Sequence, residues 1–250
     1  MAVSIKSERE IELMRQAGKI LAKVHEELGK AVRPGISTWE LNELGERLIR
    51  EHDCIPNFLN YHGYPASVCI SVNEEVVHGI PKKERILQEG DIVSLDAGLI
   101  YRGYHSDAAR THYVGQVSKE VQKLVEATKN SFYEGIKMAR AGNHLYDISN
   151  AIDAYISGFG YGIVRDLVGH GIGTNLHEDP QIPNFRQKRR GLKLQAGMTL
   201  AIEPMINMGR ADVEWLDDDW TVVAEDGLPS AHYENTILIT DGEPEILTIL

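Results

Sequence analysis

The 250-residue chain has two cysteines, Cys54 and Cys69, too few for a disulfide framework or a four-thiolate zinc site. Positive charge is also scarce: 26 lysines and arginines stand against 37 acids, a net charge of −11. That balance argues against a dedicated nucleic-acid binder or a protein held to an anionic membrane. The longest charge-free run, 54–73, matches a bilayer span in length, but Pro56, Pro65, Gly63 and His62 interrupt it. The first six residues lack the apolar core of a signal peptide, so the expected location is the cytoplasm. No Gly-x4-Gly-Lys-Ser/Thr or Gly-x-Gly-x-x-Gly loop is present, and no Gly-x-Ser-x-Gly elbow, which weighs against a phosphate loop and a serine hydrolase. What is there is ordinary for a folded chain: 42% hydrophobic and 25% charged residues, enough for one large domain or two small ones.

Ser7 and Glu10 form a capping-box pattern ahead of Ile11, Met14, Gly18, Leu21 and Val24, whose spacing predicts a helix over 7–31. Pro34-Gly35 ends it. Thr38 is the expected cap of a second helix with Leu41, Leu44 and Leu48 on its apolar face. Residues 91–99 and 104–114 read as strands joined near Arg102-Gly103. Two further helices are expected, over 118–138 and 145–156, with strands and turns to the end, including 198–207, 220–224 and 234–240.

Helix, helix, strands thus occurs twice. Arg33-Pro-Gly35 through Leu41 lies over Arg140-Ala-Gly142 through Ile148, a separation of 107 residues. Gln88-Glu-Gly90 and Asp96 lie over Gln195-Ala-Gly197 and Glu203 at the same separation. His105-Ser-Asp107 resembles His232-Tyr-Glu234 at the larger separation of 127. The pattern favours an ancient duplication, with halves of about 1–115 and 116–250 related by a pseudo-two-fold axis.

Asp96 interrupts an apolar strand, where alternation puts Ile92, Ser94 and Asp96 on one face and Val93, Leu95 and Ala97 on the other. Glu203 stands in a similar run, and Glu234 opens another. Ionised carboxylates in such segments cost several kcal/mol, on the order of a major interaction, unless paired or bound to metal. One such acid is readily satisfied by backbone N–H groups or by an arginine such as Arg110; several at repeat-related positions favour a metal. His170, between Gly169 and Gly171, sits where small neighbours let a metal or substrate approach, and His177-Glu178 and His78-Gly-Ile-Pro81 are further candidates. A hydrogen-bonded structural histidine is the alternative for each, and the reading adopted for His25, His52, His112 and His144.

Several motifs together carry a resemblance. Asn57 to Pro65, Ser71 to Pro81, Asp96-Ala-Gly98, Tyr104-His-Ser-Asp107, Gly169-His-Gly-Ile-Gly173, His177-Glu-Asp-Pro180, Gly197 to Pro204 and Ala231-His-Tyr-Glu234 are similar to the type I methionine aminopeptidases, in the family's order from about residue 5 to the end. Without the zinc extension of eukaryotic type I enzymes or the insertion of type II, the chain looks like the short bacterial form. The resemblance implies an α+β pita-bread fold, a curved antiparallel sheet backed by two helix pairs, in a single catalytic domain. It implies Asp96, Asp107, His170, Glu203 and Glu234 as ligands of two divalent ions (Co, Mn, Fe or Zn). It also implies a monovalent cation, Na or K, near Asn73, Glu75 and Ser230.

On that resemblance Glu203 relays a proton, His177 donates to the substrate carbonyl and His78 contacts the substrate amide. The methionine pocket is Phe58, Tyr61, Tyr64, Cys69, Leu176 and Trp220, with His78 and His177 beside it; His62 and His105 are nearby without a role. Phe58 stands where the family often has cysteine, and Leu176 where it often has an aromatic residue. The expected substrates are N-terminal methionyl peptides and nascent chains with a small second residue, such as this chain's own Met1-Ala2. A monomer is expected, without membrane or sequence-specific nucleic-acid contact. The basic run 186–190 reads as a solvated loop, with transient ribosomal contact as the alternative. Competing readings are a pita-bread peptidase for X-Pro bonds and an inactive peptide- or RNA-binding relative; the latter should have lost ligands, and all five are present.

Overall fold

Local sequence signals set the four helices. The computed structural model describes residues 3–250, so Met1-Ala2 lies outside the described residues. Helix α1 (Glu8–Ala31) starts at the expected capping box of Ser7 and Glu10. Helix α2 (Thr38–Glu51) is capped one residue earlier than expected, by Ser37. The Ser37 Oγ accepts from the Glu40 amide at 3.1 Å, and Glu40 Oε2 accepts from the Ser37 amide at 2.8 Å. Thr38 is occupied elsewhere: its hydroxyl donates to the Lys82 carbonyl and accepts from the Lys82 amide. Helix α3 (Lys119–Ile136) is capped by Ser118, and α4 (Leu145–Ile156) begins at the expected residue.

The strands Ile92–Tyr101 and Tyr104–Tyr113 form a ten-pair hairpin. It belongs to a nine-stranded antiparallel sheet that continues through Glu234–Leu238, Thr199–Ile202, Gly169–Gly171 and Glu178–Ile182. Two three-stranded sheets flank it, one of them joining Val213–Trp215, Val222–Ala224 and Glu75–Val77. The expected 198–207 segment is two strands in different sheets, Thr199–Ile202 and Met205–Asn207. The break falls at Glu203-Pro204, where proline has no N–H to offer a ladder.

Alternation decides what each sheet face does. Val93, Leu95, Ala97 and Leu99 pack with Val68 and Ile70 against Leu21, Val24, Leu28 and Leu41 of α1 and α2. Leu200, Ile202 and Ile237 pack against Phe132, Ile136, Ile148 and Ile152 of α3 and α4. Ile49 is fully buried, whereas Leu44 and Leu48 are half-buried, so the inner face of α2 is rotated slightly from the leucine stripe. With the helices on one face, Asp96 and its ladder partner Cys69 are left to the other.

Features recur 107 residues apart. Isolated bridges join Ser37 to Ile86 and His144 to Lys193. Gly35 and Gly142 have φ of 90° and 95°, and Gly90 and Gly197 have 95° and 91°. The Gly35 amide donates to Leu87 O, and the Gly142 amide to Leu194 O. The third sequence match is out of step. Leu95 faces Arg110 and Ile202 faces Asn235, so Glu234 stands at the ladder position of Ala109, two residues from that of Asp107.

Candidate active site

Four strands, and the break that follows Thr199–Ile202, deliver the acids and the imidazole to one buried cluster on the face away from the helices. Asp96 comes from the middle of its strand and Asp107 from the next strand, across from Gly98. A Cβ on Gly98 would crowd the Asn57 amide and lie 2.9 Å from Asp107 Oδ1, so the carboxylate needs a glycine opposite it. His170, Glu203 and Glu234 arrive from the other side of the sheet. His170 Nδ1 donates to the Gly171 carbonyl at 2.8 Å. That fixes the tautomer and leaves Nε2 facing the acids, 3.6 Å from Glu203 Oε1 and 4.0 Å from Asp107 Oδ2. Ligand atoms of Asp107, His170 and Glu234 lie within 4.8 Å of one another.

Among the described residues no lysine or arginine is ion-paired with these carboxylates. Arg110, the candidate partner for a lone buried acid, turns elsewhere: it donates to the main-chain carbonyls of Ala109, Glu234 and Thr248 and to Asn235 Oδ1, and lies over the Tyr233 ring. Burial pushes the Asp96 carboxyl up to about 7. Burial, then the neighbouring acids, push Asp107 and Glu234 well above the usual carboxylate range, and burial, then Asp96, does the same for Glu203. Burial, then His177, depresses His170 to about 3, which keeps its ring neutral and able to ligate. Asp96 Oδ1 and Glu234 Oε1 are buried without a hydrogen-bond partner. Orphaned carboxylate oxygens beside a neutral, oriented imidazole are the donor set that a divalent cation satisfies.

A cavity of about 280 Å³ opens onto this cluster. Phe58, Tyr61, Tyr64, Cys69, Leu176 and Trp220 all line it, as do His62, His78 and His177. Tyr64 donates to the Gly79 carbonyl and meets Trp220 edge-on at 5.2 Å. His177 shares a 2.8 Å hydrogen bond with Tyr61 through Nδ1, and its ring lies 4.4 Å from that of His170. Burial, then His177, lowers His78 to about 4, and burial, then His62, lowers His177. His105 is not among the cavity-lining residues; its amide donates to the Gly173 carbonyl behind the wall.

Reasoning from sequence missed His232, which lines the cavity with its Nε2 3.7 Å from Glu203 Oε2. The signal was there: His232 lies two residues before Glu234, and extended chain puts i and i+2 on one face. The same rule would have found Met205 after Glu203. Asn73 and Ser230 meet through the Ser230 amide and the Asn73 carbonyl at 2.9 Å. The Glu75 carboxylate instead accepts from the Val72 amide, and the Ser230 hydroxyl donates to Asn207. His25 donates to the Ala108 carbonyl, the structural position expected of it; at His144 it is the backbone amide that bonds, to Asp147, and the ring Nδ1 is buried without a hydrogen-bond partner.

Residues 12–241 match the model of metallopeptidase family M24. The chain belongs to that family. This M24 chain is 53% identical to the methionine aminopeptidase of Clostridium acetobutylicum over 99% of each chain. It is 49% identical to methionine aminopeptidase 1 of Bacillus subtilis, over 97% of this chain and 98% of that one. The crystal structure of the Thermotoga maritima methionine aminopeptidase superposes with a TM-score of 0.97 at 44% identity, covering all of both chains. The M24 fold here is therefore the pita-bread fold, and the chain is a metal-dependent peptidase. Among the described residues no helix is long and apolar enough to cross a membrane.

Proposed function

We propose that this M24 peptidase removes the N-terminal methionine from peptides and nascent proteins whose second residue is small. The observation that carries the reading is the cavity itself: an aromatic and thiol-lined pocket ending on the buried carboxylate–imidazole cluster. Asp96, Asp107, His170, Glu203 and Glu234 are the residues that would hold two divalent ions, whose formal charge balances four carboxylates. When bound, such ions polarise the scissile carbonyl and acidify the attacking water. Glu203 takes the proton from that water and passes it to the leaving amine. His177, oriented by Tyr61, donates to the carbonyl oxygen as negative charge develops there. His78 contacts the peptide amide. Cys69 and the faces of Tyr64 and Trp220 suit an unbranched, polarizable thioether.

A monovalent cation near Asn73, Glu75 and Ser230 belongs to the same reading, held mostly by main-chain carbonyls. So do a single catalytic domain built as two halves, a monomer, and action in the cytoplasm. The basic loop at 186–190 is tied to α4 through Asp153 and Asn150 and leaves Lys188, Arg189 and Arg190 exposed to solvent, available for a transient ribosomal contact. The test is kcat/KM over a Met-X peptide series with metal-reconstituted enzyme. Met-Gly, Met-Ala and Met-Ser peptides are expected to be cut, and Met-Leu, Met-Lys and Met-Phe to be poor. Equal rates for Met-Ala and Met-Leu would overturn the assigned specificity.

A further inference from the structure

Two residues of the proposed site, Leu176 and His177, sit on a short irregular segment, 172–177, between the Gly169–Gly171 and Glu178–Ile182 strands. The far side of this segment is held by the N-terminal arm. Lys6 is only 8% exposed, and its ammonium donates to Glu178 Oε2 at 2.7 Å and to the Ser4 hydroxyl. Ser4 in turn donates to the same Glu178 oxygen at 2.9 Å. Glu178 Oε1 faces back into the segment and accepts from the Asn175 amide at 3.1 Å. The Lys6 amide donates to the Gly197 carbonyl, so the arm is itself anchored at the start of the strand that leads to Glu203. Gly173 closes the arrangement: a Cβ there would lie 2.7 Å from Glu178 Oε1 and 2.8 Å from Lys6 Nζ.

The geometry points to Lys6, with Ser4 and Glu178, as a positioning device that sets where Leu176 and His177 stand over the substrate, resting on the role proposed for those two residues. A buried ion pair is a poor source of stability, because desolvation consumes the Coulomb attraction, but it specifies one geometry when each charge is saturated with partners. Here both carboxylate oxygens are used, one by the arm and one by the segment. The pair therefore transmits the arm's position to the cavity wall, and neither Lys6 nor Ser4 lines the cavity.

The experiment uses metal-reconstituted enzyme and combines steady-state kinetics with amide hydrogen exchange over 172–178. Lys6→Met is expected to raise KM for a Met-Ala peptide about fivefold or more and to erode preference for methionine over norleucine or leucine at the first position. Exchange over 172–178 should accelerate, with α3 and α4 unchanged. Lys6→Arg, which keeps the charge, should restore kinetics to within about twofold, and Lys6→Met/Glu178→Gln should be no worse than the more damaged single variant. A fall in kcat at unchanged KM, matched by fewer active sites, would mean that the arm only stabilises the fold and would overturn the proposal. If Lys6→Met does not fold, Ser4→Ala carries the test: faster exchange over 172–178 supports the device, and unchanged exchange overturns it. His177→Ala separates the two levels, since full activity of that variant would remove the catalytic reading of His177 while leaving the exchange result to judge the clamp.

Discussion

The regions 35–101 and 142–208 share turns, caps and bridges at a constant separation, yet they bring different chemistry to the cavity. In the first, Asp96 sits within an unbroken ten-residue strand. In the second, Glu203 follows a four-residue strand and precedes Pro204, after which the chain enters another sheet. The neighbouring strands differ in the same way. Ser71 faces Ser94, whereas His170 faces Ala201 at the equivalent rung. Ser71 merely accepts from the Gly79 amide; His170 turns Nε2 toward the acids. The hydrogen-bonded frame is held in common because turns and caps depend on backbone geometry, while the side chains on the open face are free to diverge.

The sharpest way to break the comparison is to remove the imidazole that one region has and the other lacks. His170→Ala should lower kcat/KM by about a thousandfold or more and weaken divalent-metal binding, as should Asp107→Ala. Calorimetric metal titration beside kinetics checks this, and full turnover in metal-free protein would defeat the mechanism. Next in size is Glu203→Gln, which should cut kcat by about 10² to 10⁴ with little change in KM. Asp96→Asn at the matched position should reduce metal affinity without removing the proton relay, so kinetics at saturating metal beside metal titration of both variants separate the relay at Glu203 from its ligation.

A third expectation concerns pH. Asp96 is held at about 7 against an ordinary 3.8, so the metal-free fold retains a proton that the unfolded chain releases. That contribution to stability is present at low pH and is lost as pH rises through about 4 to 7. Because metal binding displaces the same protons, the gap in Tm between metal-loaded and metal-free protein should widen over that window. Differential scanning calorimetry at several pH values measures it; a constant gap would mean the carboxyls are already ionised without metal. The smallest effect tests the shared frame. Gly35→Ala and Gly142→Ala meet no neighbouring atom, so each should cost only the left-handed backbone penalty, about 1 kcal/mol, and by similar amounts. Chemical denaturation reports it.

By itself the sequence determined the helices, through caps and apolar spacing, and the separation of 107 residues, through turn glycines whose positive φ leaves few alternatives. Motif resemblance pointed to the four acids and the imidazole and to the aromatic and thiol residues that line one cavity with them, because residues of one site are spelled in short contiguous words. Local signals stopped short where two partners competed for one group. Thr38 had the chemistry of a cap, but a loop 44 residues away took its hydroxyl and Ser37 capped α2. Only the tertiary structure decided that Arg110 serves carbonyls rather than the acids, that His232 stands against Glu203, and that Lys6 reaches Glu178. Each depends on strands distant in sequence arriving in one register, and no spacing along the chain encodes the distance between them.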